Sequence, residues 1–413
     1  MFGNNTRRKI PKPPTSAGLS LECLYRGKKK SRGMNPLAIK NIAEEYKVWV
    51  LAPHFETDDP NLAHYYDFTH SIQEYTRVFH ELNIEWEWVP VTMAGFRKTI
   101  DKINKTQEIK RALVLNLCDG DEVNGTPGVS VIDELEKRKL TYTGADRHFY
   151  TITTSKIPMK KVFDKAGVSN SPWRIISGKP GSIRGICQRV GTPLLLKPAV
   201  SGGSMGVSVK NVVHSEQELK TRLEELAEGY RGWNLQADGL FVERFITGPE
   251  FTTFITGSSD DPANCKVYVP VERHFHPSLP ATERFLSFDR LWEIYEAESP
   301  MPGNENFYEY APAPAHLRRR LTMLSKKAYI ALGGKGYTRI DIRQDAQTGK
   351  LYVLEANAQC GLSEDEDYTS IGAILKASNV SYTQVIFEIL QDAVRRHTQK
   401  QPQITKRKTK AVL

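Results

Sequence analysis

Residues 339–361 read RIDIRQDAQTGKLYVLEANAQCG, and the reading of this stretch decides the fold. Tyr337 to Ile342 alternates in polarity and carries Asp341 near its end; a polar turn containing Gly349 follows, and a second run from Leu351 delivers Glu355 and Asn357. Residues two apart on a strand share a face. Glu355 and Asn357 therefore project together, and a hairpin brings Asp341 opposite them. Oxygen ligands without His or Cys suit a hard cation such as Mg²⁺. Arg339 lies on the face of Asp341, and a fixed cation beside a metal suits phosphoryl chemistry. Singly, these residues read equally well as charges of a surface hairpin; the set together points to a site.

The remainder of the chain sets limits on that site. At 413 residues with 39% hydrophobic and 25% charged residues, two or three globular domains are expected. No apolar run is long enough for a bilayer span, and no signal-peptide core opens the sequence. Five scattered cysteines without CxxC spacing, Cys23, Cys118, Cys187, Cys265 and Cys360, imply reduced thiols and a cytoplasmic location, with neither a disulfide framework nor a zinc site. The net charge of +9 is concentrated at the ends, around Arg7–Lys12, Lys28–Arg32 and Lys406–Lys410. Such ends bind acidic partners or are simply solvated. Without an aromatic-interleaved basic patch, no nucleic-acid partner is expected.

From Lys47 onward the pattern becomes regular. VWVLAP reads as a strand, then Ile72, Tyr75, Val78, Phe79 and Leu82 at helical spacing, a strand Trp86–Val91, a helix near Phe96–Ile103, and the apolar ALVLNL. Alternating strands and helices predict an α/β fold beginning with a doubly wound parallel sheet. Its ligand edge lies at Pro53–Glu56 and Asn116–Asp121, the carboxyl ends of the strands. The expected organisation is a basic leader over 1–45, an α/β domain over 46–145, a central part over 146–238, a C-terminal part over 239–396 and a basic tail over 397–413. The central part opens with the basic helix SKIPMKKVFDKAG and runs through PLLLKP to SGGSMG, followed by a strand-like run Val207–Val212. The C-terminal part holds the strand pairs FVERFI/EFTTFI and TRIDI/LYVLEAN, with a long connection over 274–314 that reads as a lid or as a disordered insertion. Tyr382–Val394 closes the chain as an amphipathic helix.

Lys197 ends PLLLKP just ahead of Gly202, Gly203, Ser204 and Gly206. Glycines let backbone N–H groups close around phosphate oxygens, and Ser204 adds a hydroxyl donor. A strand-like run rather than a helix follows, so this is neither a Walker loop nor a Rossmann turn. Lys156 is a second cation candidate, or an ordinary helix lysine. Glu243 and Glu250 flank a Gly-Pro turn. As site residues they accept from an adenine amino group and from ribose hydroxyls respectively, with backbone atoms of Phe245 and Ile246 beside them; either alone reads as a solvated charge.

In order, YTG, SK before a basic helix, LLLKP with its Gly/Ser loop, VERFITGPEF, RIDI and LEAN resemble the ATP-grasp superfamily, and within it the D-alanine–D-alanine ligase family. The likeness is dense from Tyr142 onward, weaker before it, where NGTPGVSVIDEL is similar to the family's EDGT segment, and absent from the leader. The resemblance implies an ATP-grasp fold behind a pre-ATP-grasp domain, with ATP held between two antiparallel sheets. It implies phosphate-binding roles for Lys156 and Lys197, a mobile loop with Ser204 and Gly206, adenine and ribose carboxylates at Glu243 and Glu250, and two Mg²⁺ ions (Mn²⁺ as substitute) on Asp341, Glu355 and Asn357. Arg339 and backbone amides near Gly361 are implied to stabilise the reacting groups. The implied activity is an ATP-dependent carboxylate–amine ligase that forms an acyl phosphate and then an amide. An ATP-grasp kinase and a non-catalytic ATP-binding protein are the alternatives. The expected partners are a small-molecule carboxylate and an amine, with a homodimer as the assembly to consider.

Some positions depart from the family where substrates are chosen. Gly203 stands where the D-alanine enzymes have serine, Cys360 where they have proline, and Glu364–Asp367 form an inserted acidic cluster that either attracts a cationic amine or is a solvated turn. Ser363, Thr369 and Ser370 are carboxylate-binding candidates, and Glu56 is only a loose counterpart of the glutamate expected after the first strand. A substrate other than D-alanine is therefore expected.

Overall fold

Four strands near the start of the chain pair in parallel in the order β2 (Trp86–Val91), β1 (Tyr46–Pro53), β3 (Arg111–Asn116), β4 (Thr141–Tyr142). Nearly every residue of β1 and β3 is buried, as expected of a parallel sheet covered on both faces. The chain leaves β1 for β2 on one side and returns to β3 on the other, so the carboxyl ends of β1 and β3 form a topological switch point. This structure is a computed structural model and describes residues 34–55, 67–107, 109–123, 125–177, 182–227, 235–236, 238–293, 295, 298–367 and 369–409. Glu56 and residues 1–33 of the expected leader lie outside the described residues. The end of that leader is not irregular: Pro36–Glu45 is a helix. Asn35 caps it by accepting from the Leu37 N–H, Pro36 occupies its first turn and Ile42 is buried, a helix-start pattern of Asn then Pro.

Two antiparallel sheets follow. The smaller has the order β5 (Trp173–Ile176), β8 (Leu240–Arg244), β6 (Leu194–Pro198), β7 (Val212–Val213). In the larger, β12 (Tyr308–Pro312), β11 (Val271–Phe275), β9 (Glu250–Ser258), β13 (Lys335–Gln344) and β14 (Leu351–Ala358) lie in that order, with β10 (Lys266–Val267) on β9. Two expectations are corrected here. FVERFI and EFTTFI do not pair. Gly248, at φ +123° with no room for a Cβ beside the Gln344 carbonyl, lets the chain cross from one sheet to the other. Val207–Val212 is not a strand either. Asn211 turns Val209–Asn211 into a 3-10 segment by donating to the Leu196 and Gly206 carbonyls, leaving only Val212–Val213 paired.

The expected TRIDI/LYVLEAN hairpin forms with a β-bulge. Asp341 pairs with Glu355 and Arg339 with Asn357, but Ile342 pairs with Val353, leaving Leu354 extra on β14. Strict alternation would send Val353 and Glu355 to the same face. The extra residue instead lets Leu351, Val353 and Ala356 join Ile340 and Ile342 in the core, while Glu355 and Asn357 line the cavity. Bulges commonly re-aim side chains in this way beside active sites.

The connection expected over 274–314 begins and ends in structure, since Val271–Phe275 and Tyr308–Pro312 pair antiparallel. Between them lies the helix Phe288–Trp292. Ser287 Oγ donates to Glu298 Oε2 at 2.5 Å, and the Asp289 carboxylate accepts the Glu298 N–H at 2.9 Å. The described part of the connection, residues 274–293, 295 and 298–314, thus carries hydrogen-bonded structure of its own and covers the glycine loop. The closing helix spans Tyr382–Thr409, so the expected tail continues it from residue 397. Tyr382, Val385, Ile386, Ile389, Leu390 and Ala393 are buried on one face, as helical spacing requires. No described helix is long and apolar enough to cross a membrane.

Candidate active site

A cavity of about 640 Å³ is bordered by the carboxyl end of β3, the glycine loop, the crossing between the sheets and the β13/β14 hairpin. Lys156, Lys197, Arg339, Asp341, Glu355 and Asn357 all line it, as do Gly202, Gly203, Ser204 and Gly361. Lys156 begins the helix Lys156–Ala166. Its Nζ donates to the Ser201 carbonyl at 3.0 Å and lies 3.4 Å from Glu355 Oε2, so it is no ordinary exposed lysine. One helical turn further on, Lys160 occupies the same face and is fully buried. Sequence reading passed over Lys160; its i+4 spacing from Lys156 was the available signal.

Burial alone would raise the Glu355 carboxyl, but Lys156, Lys197 and Arg339 outweigh it and hold it at about 2. Asp341 behaves in the opposite sense. Burial, reinforced by the negative charge of Glu355, raises its carboxyl despite Arg339. Thr252 Oγ1 donates to Asp341 at 2.9 Å, Arg339 Nε at 3.2 Å and Asn357 Nδ2 at 3.3 Å. Two carboxylates gathered against their mutual repulsion, with an amide beside them and no soft ligand, fit a hard divalent cation. Among the described residues no group of three or more His, Cys, Asp or Glu side chains is placed to hold a metal, and the Asn357 amide is the neutral group beside the two carboxylates.

The expected base and ribose ligands have different occupations in the structure. Glu243 is 2% exposed. Its Oε1 takes Lys197 Nζ at 2.8 Å, and its Oε2 takes Lys160 Nζ at 2.6 Å together with the Ser171 hydroxyl. Burial would raise this carboxyl, yet the two lysines hold it well below the usual range. Glu250 is likewise buried, between Arg273 and Arg343. Both glutamates thus serve as counter-ions to cations that sequence reading did not connect with them. Burying a carboxylate requires such pairing, and the partners come from separate strands. In register across β13, β9, β11 and β12 stand Arg343, Glu250, Arg273 and Tyr310. At the crossing, the Phe245 N–H donates to the Pro193 carbonyl at 2.8 Å and the Ile246 carbonyl accepts Arg343 Nη1 at 2.9 Å.

The glycine loop is tied to its cover. Ser204 Oγ donates to the Leu286 carbonyl at 2.8 Å and Trp292 Nε1 to the Gly203 carbonyl at 2.8 Å. Gly203 has φ +54°, and a Cβ there would meet the Trp292 ring at 3.0 Å. The glycine that replaces the family's serine is therefore the residue Trp292 permits. Gly206, at φ +74°, has Leu235 in the space a Cβ would need. The acidic cluster is structural in part: Glu364 pairs with Arg77 and Glu366 with Lys376. Ser363 donates to Glu74 at 2.7 Å, and Thr369 caps the helix Ser370–Ser378.

Replacing Lys197 with alanine is expected to weaken nucleotide binding about 10- to 100-fold, the scale of one lost charge-assisted contact in a closed site. Calorimetric titration with ATP checks this, and an unchanged dissociation constant removes Lys197 from the site.

The family profile described as D-ala D-ala ligase C-terminus matches residues 162–391. The D-alanine–D-alanine ligase of Geobacter sulfurreducens is 30% identical over 259 residues, covering 63% of this chain and 71% of that one. That of Marinobacter nauticus is 28% identical over 255 residues, covering 62% and 67%. Among solved structures, the D-alanine–D-alanine ligase of Bacillus anthracis superposes with a TM-score of 0.60 at 19% identity, over 86% of this chain and 99% of that one. The same enzyme complexed with ATP gives 0.57 at 20% identity, over the same shares. These likenesses, with the parallel sheet followed by two antiparallel sheets around the cavity, establish that the chain belongs to the D-alanine–D-alanine ligase family, ATP-dependent ligases of the ATP-grasp fold that form an amide bond.

Proposed function

We propose that the chain uses ATP to activate the carboxylate of an amino acid or another small acid and joins it to an amine, with Lys156, Lys197, Arg339, Asp341, Glu355 and Asn357 as the working residues. The observation that carries this reading is the meeting of Lys156 and Glu355 across 3.4 Å, opposite Asp341 and Arg339 in one cavity. Lys156 and Lys197 hold the phosphate end of the nucleotide. A substrate carboxylate oxygen attacks the γ-phosphorus, the bond to the β–γ bridging oxygen breaks, and ADP leaves an acyl phosphate. The amine then attacks the acyl carbon, loses a proton, and orthophosphate departs as the amide forms. Asp341, Glu355 and Asn357 fit Mg²⁺, which when bound screens the phosphate charges against the incoming carboxylate. The Arg339 guanidinium, rigid and fully ionised, suits the oxyanion of the tetrahedral carbon, with the Gly361 N–H as a second donor. The glycine loop, with Ser204, and the Phe288–Trp292 cover exclude water that would hydrolyse the acyl phosphate.

D-alanine is the substrate named for the relatives. Gly203 under Trp292 and Cys360 in place of proline support a different acid or amine here. The free thiols of Cys118, Cys187, Cys265 and Cys360 support a reducing, cytoplasmic setting. A screen of ADP release over pairs of small acids and amines, with mass detection of the joined product, tests the reading. Amide with stoichiometric orthophosphate is expected, whereas a phosphorylated product without amide replaces the ligase by a kinase.

A further inference from the structure

β14 ends at Ala358, and the turn that follows it is made without glycine. Gln359 has φ +57°, a left-handed conformation that costs any residue carrying a Cβ. It is nevertheless 2% exposed, and its side-chain amide is held at both ends. Oε1 accepts the Ala145 N–H at 2.8 Å, and Nε2 donates to the Asn116 carbonyl at 2.8 Å. These two backbone groups lie past Val114 and Tyr142, the last residues in register between β3 and β4, and buried backbone groups require partners. Glutamine supplies one acceptor and one donor in a single planar group; an ionised glutamate lacks the donor, and methionine keeps only a weak acceptor. The receiving segment is shaped for it. Gly144, at φ +84°, has no room for a Cβ because the Gln359 amide fills that space, and Arg396 Nη2 donates to the Gly144 carbonyl at 3.1 Å from the closing helix.

The anchored residue joins separate walls of one cavity. Asn357 lies two residues before it and Gly361 two after; both line the cavity, and Gly361 is exposed, with open space where a Cβ would stand. Asp119 and Asp121, shortly past Asn116, line it from the N-terminal sheet. Asp146, next to Ala145, caps the helix Arg147–Thr154, which brings Tyr150 to the same cavity. One amide thus fixes the Gly361 backbone against the N-terminal wall. Backbone strain that its surroundings hold in place clusters at functional sites.

We propose that Gln359 is a positioning residue for amide formation, acting through the Cys360–Gly361 backbone to hold the Gly361 N–H where the amine meets the acyl carbon beside the N-terminal wall. The inference rests on the ligase reading above. The hydrogen bonds of its amide go to Asn116 and Ala145 rather than to Lys156 or Lys197, so its loss separates the second half of the reaction from nucleotide binding. A misplacement of about 1 Å at a reacting centre costs on the order of 10²-fold in rate. An acyl phosphate that waits for a misplaced amine is attacked at its acyl carbon by water instead, which regenerates the acid and releases orthophosphate. ADP then appears without amide.

The test uses the full-length protein with the acid–amine pair selected by the ADP-release screen, and measures ADP and amide together. Gln359→Met should lower kcat at least about 10-fold and reduce the amide formed per ADP to about half the wild-type ratio or less. Calorimetric affinity for the imido analogue of ATP with Mg²⁺, which binds without turnover, should stay within about threefold of wild type. Gln359→Glu is isosteric, keeps the acceptor and loses the donor, and should show the same pattern; it carries the test if Gln359→Met does not fold. Turnover within about threefold of wild type in a folded variant overturns the proposal. So does an unchanged ratio of amide to ADP, or a fall in analogue affinity as large as the fall in turnover. If neither variant folds, Gln359 serves the fold and the proposal is overturned as well. The ligase reading survives each of these results. A wild type that releases no ADP with any pair overturns that reading and this proposal together.

Discussion

Glu355→Gln is expected to lower turnover by at least about 10³-fold and to cost part of the stability while leaving the fold intact, since the charge proposed to hold the metal at the reacting phosphates is lost. The substitution is isosteric and removes only the negative charge that draws in Lys156 at 3.4 Å. Lys156 keeps its bond to the Ser201 carbonyl, so the backbone has no cause to move. Because three cations hold the Glu355 carboxyl at about 2, it is ionised throughout the working pH range. Its lowered value contributes stability that is present above the unfolded carboxylate range near pH 4.3 and is lost as pH falls toward 2. An acidic limb in the wild-type rate above pH 4 therefore belongs to another group. Steady-state ADP release, with a urea melt as the control, decides the matter. Near wild-type turnover would show that Glu355 has no part in the chemistry.

Glu250→Leu should destabilise the protein by about 3–5 kcal/mol, the cost of breaking a buried ion pair by removing one partner. Arg273 and Arg343 are 3% and 2% exposed and share this single carboxylate across adjacent strands. Without it, two guanidiniums face each other in the protein interior. Tyr310 and the Ile246 carbonyl, at 2.9 Å each, satisfy N–H groups but carry no countercharge. Combining Glu250→Leu with Arg273→Met and Arg343→Met should recover most of the loss, because an apolar replacement of a whole buried ionic cluster is often neutral. Urea unfolding measures both. A loss under about 1 kcal/mol in the single variant would mean that the arginines find solvent.

What was legible in the sequence follows from what period and spacing encode. The parallel sheet could be read because β1 and β3 are largely apolar, and the β13/β14 hairpin because Arg339, Asp341, Glu355 and Asn357 lie two residues apart on neighbouring runs. The bulge at Leu354 was not legible, since an extra residue leaves no mark in composition. Nor were Lys160, Arg273 and Arg343 visible as parts of the site. Each looks like an ordinary charge until the Lys156–Ala166 helix meets β8 and the β11–β9–β13 pairing forms, which place it beside Glu243 or Glu250.

The sequence by itself determined the fold class, the order of the elements and which oxygen-bearing side chains gather near the end of the chain, because these depend on local periodicity and short-range spacing. Only the tertiary structure decided the partners of the buried glutamates, the separation of FVERFI from EFTTFI into two sheets, and the docking of the cover on Gly203. Those depend on cross-strand register and on contacts such as Ser204 with Leu286, 82 residues apart. Such pairings are selected by the requirement that every buried charge meet its opposite, a condition that no single segment of the chain expresses.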